Sequence, residues 1–226
     1  MRLTLVSREP IGRAFLRLRE APLENAEGKD VFIYKEAKMR LGHIWPDEVN
    51  PTSLYVLRSK LELLDEIERF LAEYYGIDIF NLGEALFLHL ANGSFVSMVP
   101  PFVEIYDEKV QIIGGPEEKP APPPLQVKVA ILKDGLHRMF RAREKDRMVR
   151  SIIVHGAISD YKPYAYPNMW SQVEIVDDVP LIKKFHRRQD SSTFRRPLRV
   201  LHRFQGQDPP SPHRRTGTEE TRHWIW

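Results

Sequence analysis

From Val127 to Gly156 the chain reads VKVAILKDGLHRMFRAREKDRMVRSIIVHG, and this stretch limits its possible folds more than any other. The apolar run at Val127, Val129, Ile131 and Leu132 predicts a strand that breaks at Asp134-Gly135. Leu136 to about Arg147 predicts a helix, and Ser151–His155 predicts a second strand. A strand that passes through Asp-Gly into a helix start is one way to build an anion site. The first N–H groups of a helix have no internal acceptor, and the helix dipole favours negative charge there. His137 and Arg138 would add a switchable donor and a planar guanidinium fork at the same place, and phosphate is the natural ligand. Asp-Gly is equally an ordinary turn, Asp an ordinary N-cap, and a His-Arg pair an ordinary solvated surface. The residues alone leave both readings open.

Composition narrows the function classes. The 226 residues suffice for one full domain with an extension or for two small ones. The absence of cysteine excludes disulfides, thiolate metal sites and thiol chemistry. No apolar run approaches the roughly 20 residues of a membrane helix. Arg8, Glu9 and Arg13 interrupt any signal-peptide core at the N-terminus. A soluble, cytoplasmic protein with no membrane partner is therefore expected. The net charge of +3 conceals a split, because residues 183–226 hold 11 Lys/Arg against 4 Asp/Glu, leaving residues 1–182 at −4. Only the tail has the charge expected of a nucleic-acid binder.

Ile11–Glu20 predicts a short amphipathic helix and Val31–Tyr34 a strand. Leu57, Leu61, Leu64, Ile67, Leu71 and Tyr74 recur at helical spacing, so Arg58–Tyr75 predicts a helix ended by Gly76. Ile77–Asn92 fits helix or strand; Gly83-Glu84-Ala85 favours a helix closing at Asn92-Gly93. Phe95–Met98 leads into Pro100-Pro101, and Phe102–Tyr106 predicts a strand. The five prolines of Gly114–Pro124 predict an extended loop. Tyr161–Trp170 is a proline-punctuated aromatic stretch, and Val173–Val176 predicts an edge segment. From Lys183 only 9 of 44 residues are apolar, too few to bury the surface that ordering requires.

The succession PPFVEIYDE, VAILKDGLHRMFRAREKD and RSIIVHG resembles the ParB/sulfiredoxin-like superfamily, whose core runs strand, strand, Asp/Asn-Gly-x-His/Arg-Arg, helix, strand. The matching residues are Asp134, Gly135, His137 and Arg138, followed by Ala142. The turn is most similar to the Asp-Gly-His-His-Arg form of a nucleotide-dependent free serine kinase, with Leu136 in place of the first His. Asn50–Leu71 loosely resembles the family's Asn-Pro…Arg segment and its following helix. The resemblance implies a compact mixed α/β (α+β) domain over residues 1–182, with its specific core at 99–156, an N-terminal extension and a basic, poorly ordered tail at 183–226. It also implies a nucleotide (ATP, ADP or CTP) at the turn. Gly135 would admit the phosphate to the backbone, His137 and Arg138 would contact its oxygens, and Asp134 would cap the helix or reach Mg²⁺. Sulfiredoxin chemistry needs a cysteine at the turn and is excluded. The ParB helix-turn-helix has no room between Gly156 and Lys183.

The resemblance points to a phosphotransferase (kinase-like transferase) or nucleotide hydrolase. Positioning and charge neutralisation do most of the work in such reactions. The candidate acid/bases are Glu104, on a strand expected beside Asp134, and His155, at the end of the next strand. Alternation equally allows Glu104 a solvent face, and His155 can simply be a hydrogen-bonded strand end. Arg58, at a helix start, is a candidate for an acidic group or a solvated arginine. Tyr166 and Trp170 can stack on a base or cover a core edge. The alternative function is a non-catalytic nucleotide-sensing adaptor, with nucleic acid held by the tail.

Overall fold

A computed structural model describes residues 3–24, 30–110, 123–157 and 168–179, and within these the chain is a mixed α/β fold. Its elements run β1 (Leu3–Pro10), α1 (Ile11–Arg19), β2 (Leu23–Glu24), β3 (Asp30–Val31), β4 (Lys38–Ile44), β5 (Tyr55–Leu57) and α2 (Arg58–Tyr75). They continue with β6 (Glu84–Leu90), β7 (Phe95–Met98), β8 (Phe102–Val110), β9 (Leu125–Asp134), α3 (Leu136–Glu144), β10 (Val149–His155) and β11 (Glu174–Val176). The loop at 114–122, the aromatic stretch at 161–167 with Tyr166, and the tail at 183–226 lie outside the described residues.

The main sheet has the order β4-β10-β8-β9. β10 is antiparallel to β4 and parallel to β8, and β9 returns antiparallel to β8. The centre of β10, Ile152–Val154, is continuously apolar because both its faces are covered. On one face Val149 packs with Ile44, Val103 and Leu132 beneath Leu64, Ile67 and Leu71 of α2 and Met139 and Ala142 of α3. On the other, Ile152 and Val154 pack with Phe102, Ile33, Tyr34 and the Ala14–Leu18 stripe of α1. A second antiparallel sheet, β1-β6-β7, contributes Leu86 and Leu88 to the first cluster and Ala85 and Phe87 to the second.

α1 and α2 form where the periodicity predicts them. Leu61, Leu64, Ile67 and Leu71 are the buried stripe of α2, and Gly76 ends it in the left-handed region at φ +63. The N–H of Ile77 then donates to the carbonyl of Leu71. Three expectations are corrected. Ile77–Asn92 is not a helix: a short 3₁₀ turn at Ile79–Asn81 leads into β6, where four consecutive residues, Ala85–Leu88, are buried. A helix buries one stripe, whereas a strand covered on both sides buries every residue. Asn92-Gly93 is accordingly the turn of the β6–β7 hairpin, with Gly93 at φ +84. Val31–Tyr34 is strand only as far as Val31, and Ile33 and Tyr34 enter the core from a turn. α3 stops at Glu144 rather than Arg147, and Asp146 adopts φ 48 after it.

Candidate functional site

The β9–α3 turn joins three parts of the fold. Gly135 lies at φ +87 against the β7–β8 connection, where an added Cβ would fall 2.7 Å from Pro101 Cβ and 2.9 Å from its Cα. Both the left-handed backbone and the close approach require glycine there. Gly135, not Asp134, is the N-cap of α3, and no side chain among the described residues caps that helix. The expected Asp cap is thus corrected: Asp134 Oδ1 accepts from the neighbouring Gly135 N–H at 2.7 Å. The first intrahelical bond runs from Met139 N–H to Gly135 O, so helix geometry gives Leu136, His137 and Arg138 no intrahelical acceptor.

A second helix starts at the same place. The N–H of Leu57, the N-cap residue of α2, donates to His137 Nε2 at 3.1 Å. Like α3, α2 has no side-chain cap and no acid in its first turn. Two positive dipole ends therefore meet at His137 with no acid in either first turn. Arg138 lies beside them, 7% exposed, and its Nη2 donates to Val99 O at 2.6 Å. Its Nε and Nη1 have no hydrogen-bond partner among the described residues. Burial lowers its pKa to about 10, against the opposing pull of Asp134, so it stays charged at neutral pH. Lys60, half-buried in the first turn of α2, is likewise lowered by burial and partly held up by Asp134. Two cations and two uncapped helix starts thus face one carboxylate, and the imbalance favours an anion.

Of the residues named from sequence, Asp134, Gly135, His137 and Arg138 stand together. Arg58 begins α2, and its Nε donates to Asp177 Oδ1 at 2.8 Å in an exposed pair. Glu104 lies on β8 on the face opposite Val103 and Ile105, where its Oε2 accepts from Tyr34 OH at 2.8 Å. His155 pairs with Ile105, whereas Asp134 pairs with Phe102, three residues or roughly 10 Å back along β8. Burial, then Arg40 and Lys128, lower the His155 pKa. Trp170 is buried, and its Nε1 donates to Pro46 O at 2.7 Å and Val49 O at 2.8 Å, so it serves the core. Lys60, Val99 and Pro101 escaped sequence reasoning; only Pro100-Pro101, as a rigid approach to β8, left a signal. An open groove of about 660 Å³ between α2 and α3 lies apart from the turn. Most of its charges pair among themselves, Arg141 with Asp65 and Glu144, and Lys145 with Glu68.

A resident Mg²⁺ does not fit this donor set. Asp134 is the one acid of the turn and stands beside Arg138 and Lys60. Among the described residues no three His, Asp or Glu side chains are grouped to hold a metal.

A family model for the ParB CE domain matches residues 15–175. The chain belongs to the ParB CE family. The match runs from within α1 to within β11 and so extends beyond Asn50–Gly156, the span over which the motifs resemble the wider superfamily. In this ParB CE domain the turn, both helix starts and the β8–β9 pair all lie inside the matched region. No curated protein and no solved structure gives a significant match. No helix among the described residues is long and apolar enough to cross a membrane.

Proposed function

We propose that this ParB CE protein binds a nucleotide or another phosphorylated small molecule at the Asp134–Arg138 turn. The observation that carries this reading is Arg138: a buried guanidinium whose Nε and Nη1 have no partner among the described residues, at the start of a helix that none of their side chains caps. A buried cation left incompletely paired is costly in an empty site and is relieved when a phosphate supplies the missing acceptors. A thermal-shift series with ATP, ADP, CTP and inorganic pyrophosphate, with and without Mg²⁺, tests it. A ligand at 100 times its Kd stabilises by about 2.7 kcal/mol. No shift with any of them argues against the reading.

A catalytic reading, phosphoryl transfer or nucleotide hydrolysis akin to the free serine kinase type, draws support from Asp134. Its carboxylate stands beside the cations that would hold the phosphates, so a water or hydroxyl acceptor bound there would have a base at hand. Turnover of nucleotide by the purified protein, abolished in Asp134→Asn, supports it. Binding without turnover favours a nucleotide-sensing adaptor, with nucleic acid as the partner suited to the basic tail.

A further inference from the structure

The pairing of β8 with β9 slips by one residue just before the turn. Val103 faces Leu132 and Phe102 faces Asp134, so Lys133 is the extra residue of a bulge. Its side chain is only 3% exposed, with Nζ 4.0 Å from Glu104 Oε2, itself 2% exposed. Tyr34 OH donates to the same carboxylate at 2.8 Å, and the Tyr34 ring meets Phe102 edge-on at 5.4 Å. Tyr34 belongs to a buried apolar cluster with Phe102, Ile152 and Val154.

A buried Lys–Glu pair adds little net stability over apolar residues of similar size, but losing one partner strands a charge in the core. Such a pair can act through register, by allowing the arrangement that brings the two charges together and penalising the others. Bulges beside functional sites re-aim side chains. Here the residues delivered by the bulge are Asp134, Gly135 and, one turn on, Arg138.

We propose that the Glu104–Lys133 pair, anchored by Tyr34, is a positioning device that selects the bulged register and so sets the phosphate-binding turn. Glu104 is then a positioning residue, not the general base. This rests on the anion-binding reading above and extends it to the opposite face of the sheet.

The test titrates inorganic pyrophosphate into the full chain by calorimetry and follows the amide resonances of Gly135 and His137. Glu104→Gln should weaken binding about tenfold or more and shift both resonances. Adding Lys133→Met, which removes the stranded charge and keeps an apolar stem, should restore affinity to within about threefold of wild type. Wild-type affinity in Glu104→Gln, or a double variant as weak as the single one, overturns the positioning role. If Glu104→Gln does not fold, Lys133→Met alone replaces it, with the same loss expected and wild-type affinity contradicting it. Absence of pyrophosphate binding in the wild-type protein instead overturns the anion reading itself, and this role with it.

Discussion

His137 Nε2 accepts a 3.1 Å hydrogen bond from the backbone N–H of Leu57, so the first turn of α3 is fastened to the cap of α2. The bond uses the Nε2 lone pair and leaves the imidazole proton on Nδ1. Replacing His137 with Ala removes the acceptor of a half-buried N–H and separates the two helix starts. The expected cost is about 1–3 kcal/mol of unfolding free energy, measured by denaturant titration. A stability within about 0.5 kcal/mol of wild type would mean that the bond does not join the helices.

Gly135→Ala should be more damaging than its size suggests. The new Cβ would adopt φ +87 and meet Pro101 at 2.7–2.9 Å, with backbone as well as ring atoms in the way. Strain of this kind costs on the order of 1–3 kcal/mol before the clash is counted. Thermal melts of the variant should show that loss together with weakened phosphate binding.

Acidification should destabilise the sheet through His155. Its folded pKa lies below the ordinary value of 6.5, first through burial and then through Arg40 and Lys128. A depressed pKa means that the unfolded chain takes up the proton first. The contribution is therefore fully present above about pH 6.5 and is lost as pH falls through the folded value. His155→Gln should flatten the stability profile in that window, and Arg40→Ala should raise the His155 titration midpoint seen by NMR. An unchanged midpoint would show that Arg40 does not act on the ring.

Asp177 holds Arg58 at the start of α2 in a pair whose side chains are 55% and 78% exposed. Exposed pairs are worth only about 0.2–1 kcal/mol, so an anion arriving at the helix start competes easily for Arg58. Asp177→Asn should raise pyrophosphate affinity by no more than about fivefold, and Arg58→Ala should erase that gain. An increase that persists in the double variant would assign the effect to the acid's long-range field instead.

How far the structure could be read from the sequence follows from where each partner lies. α2 was legible to the residue because its leucine spacing and Gly76 are local signals. β6 was not, because burial on both faces erases the alternation that marks a strand. β4 gave no sign: Lys38, Arg40 and Gly42 alternate with Met39 and Leu41 on an edge strand, too polar to stand out. At the site, Asp134, Gly135, His137 and Arg138 are contiguous, so the turn was visible as a motif. Lys60 and Lys133 gave no local signal, because Asp134 lies 74 residues from the first and Glu104 lies on another strand from the second. A charge whose partner is remote in sequence looks exposed until the fold is known.

The most direct measurement titrates inorganic pyrophosphate into the wild-type protein and Arg138→Met, with ligand-free melts of both. Arg138 is 7% exposed and has two nitrogen atoms without a partner among the described residues, so its charge should burden the empty protein and serve the bound one. Arg138→Met should therefore bind about 1.5–3 kcal/mol more weakly, roughly tenfold to a hundredfold, while its ligand-free Tm stays level or rises. Equal affinity in the two proteins, or a wild-type protein that binds no pyrophosphate with or without Mg²⁺, would contradict the account.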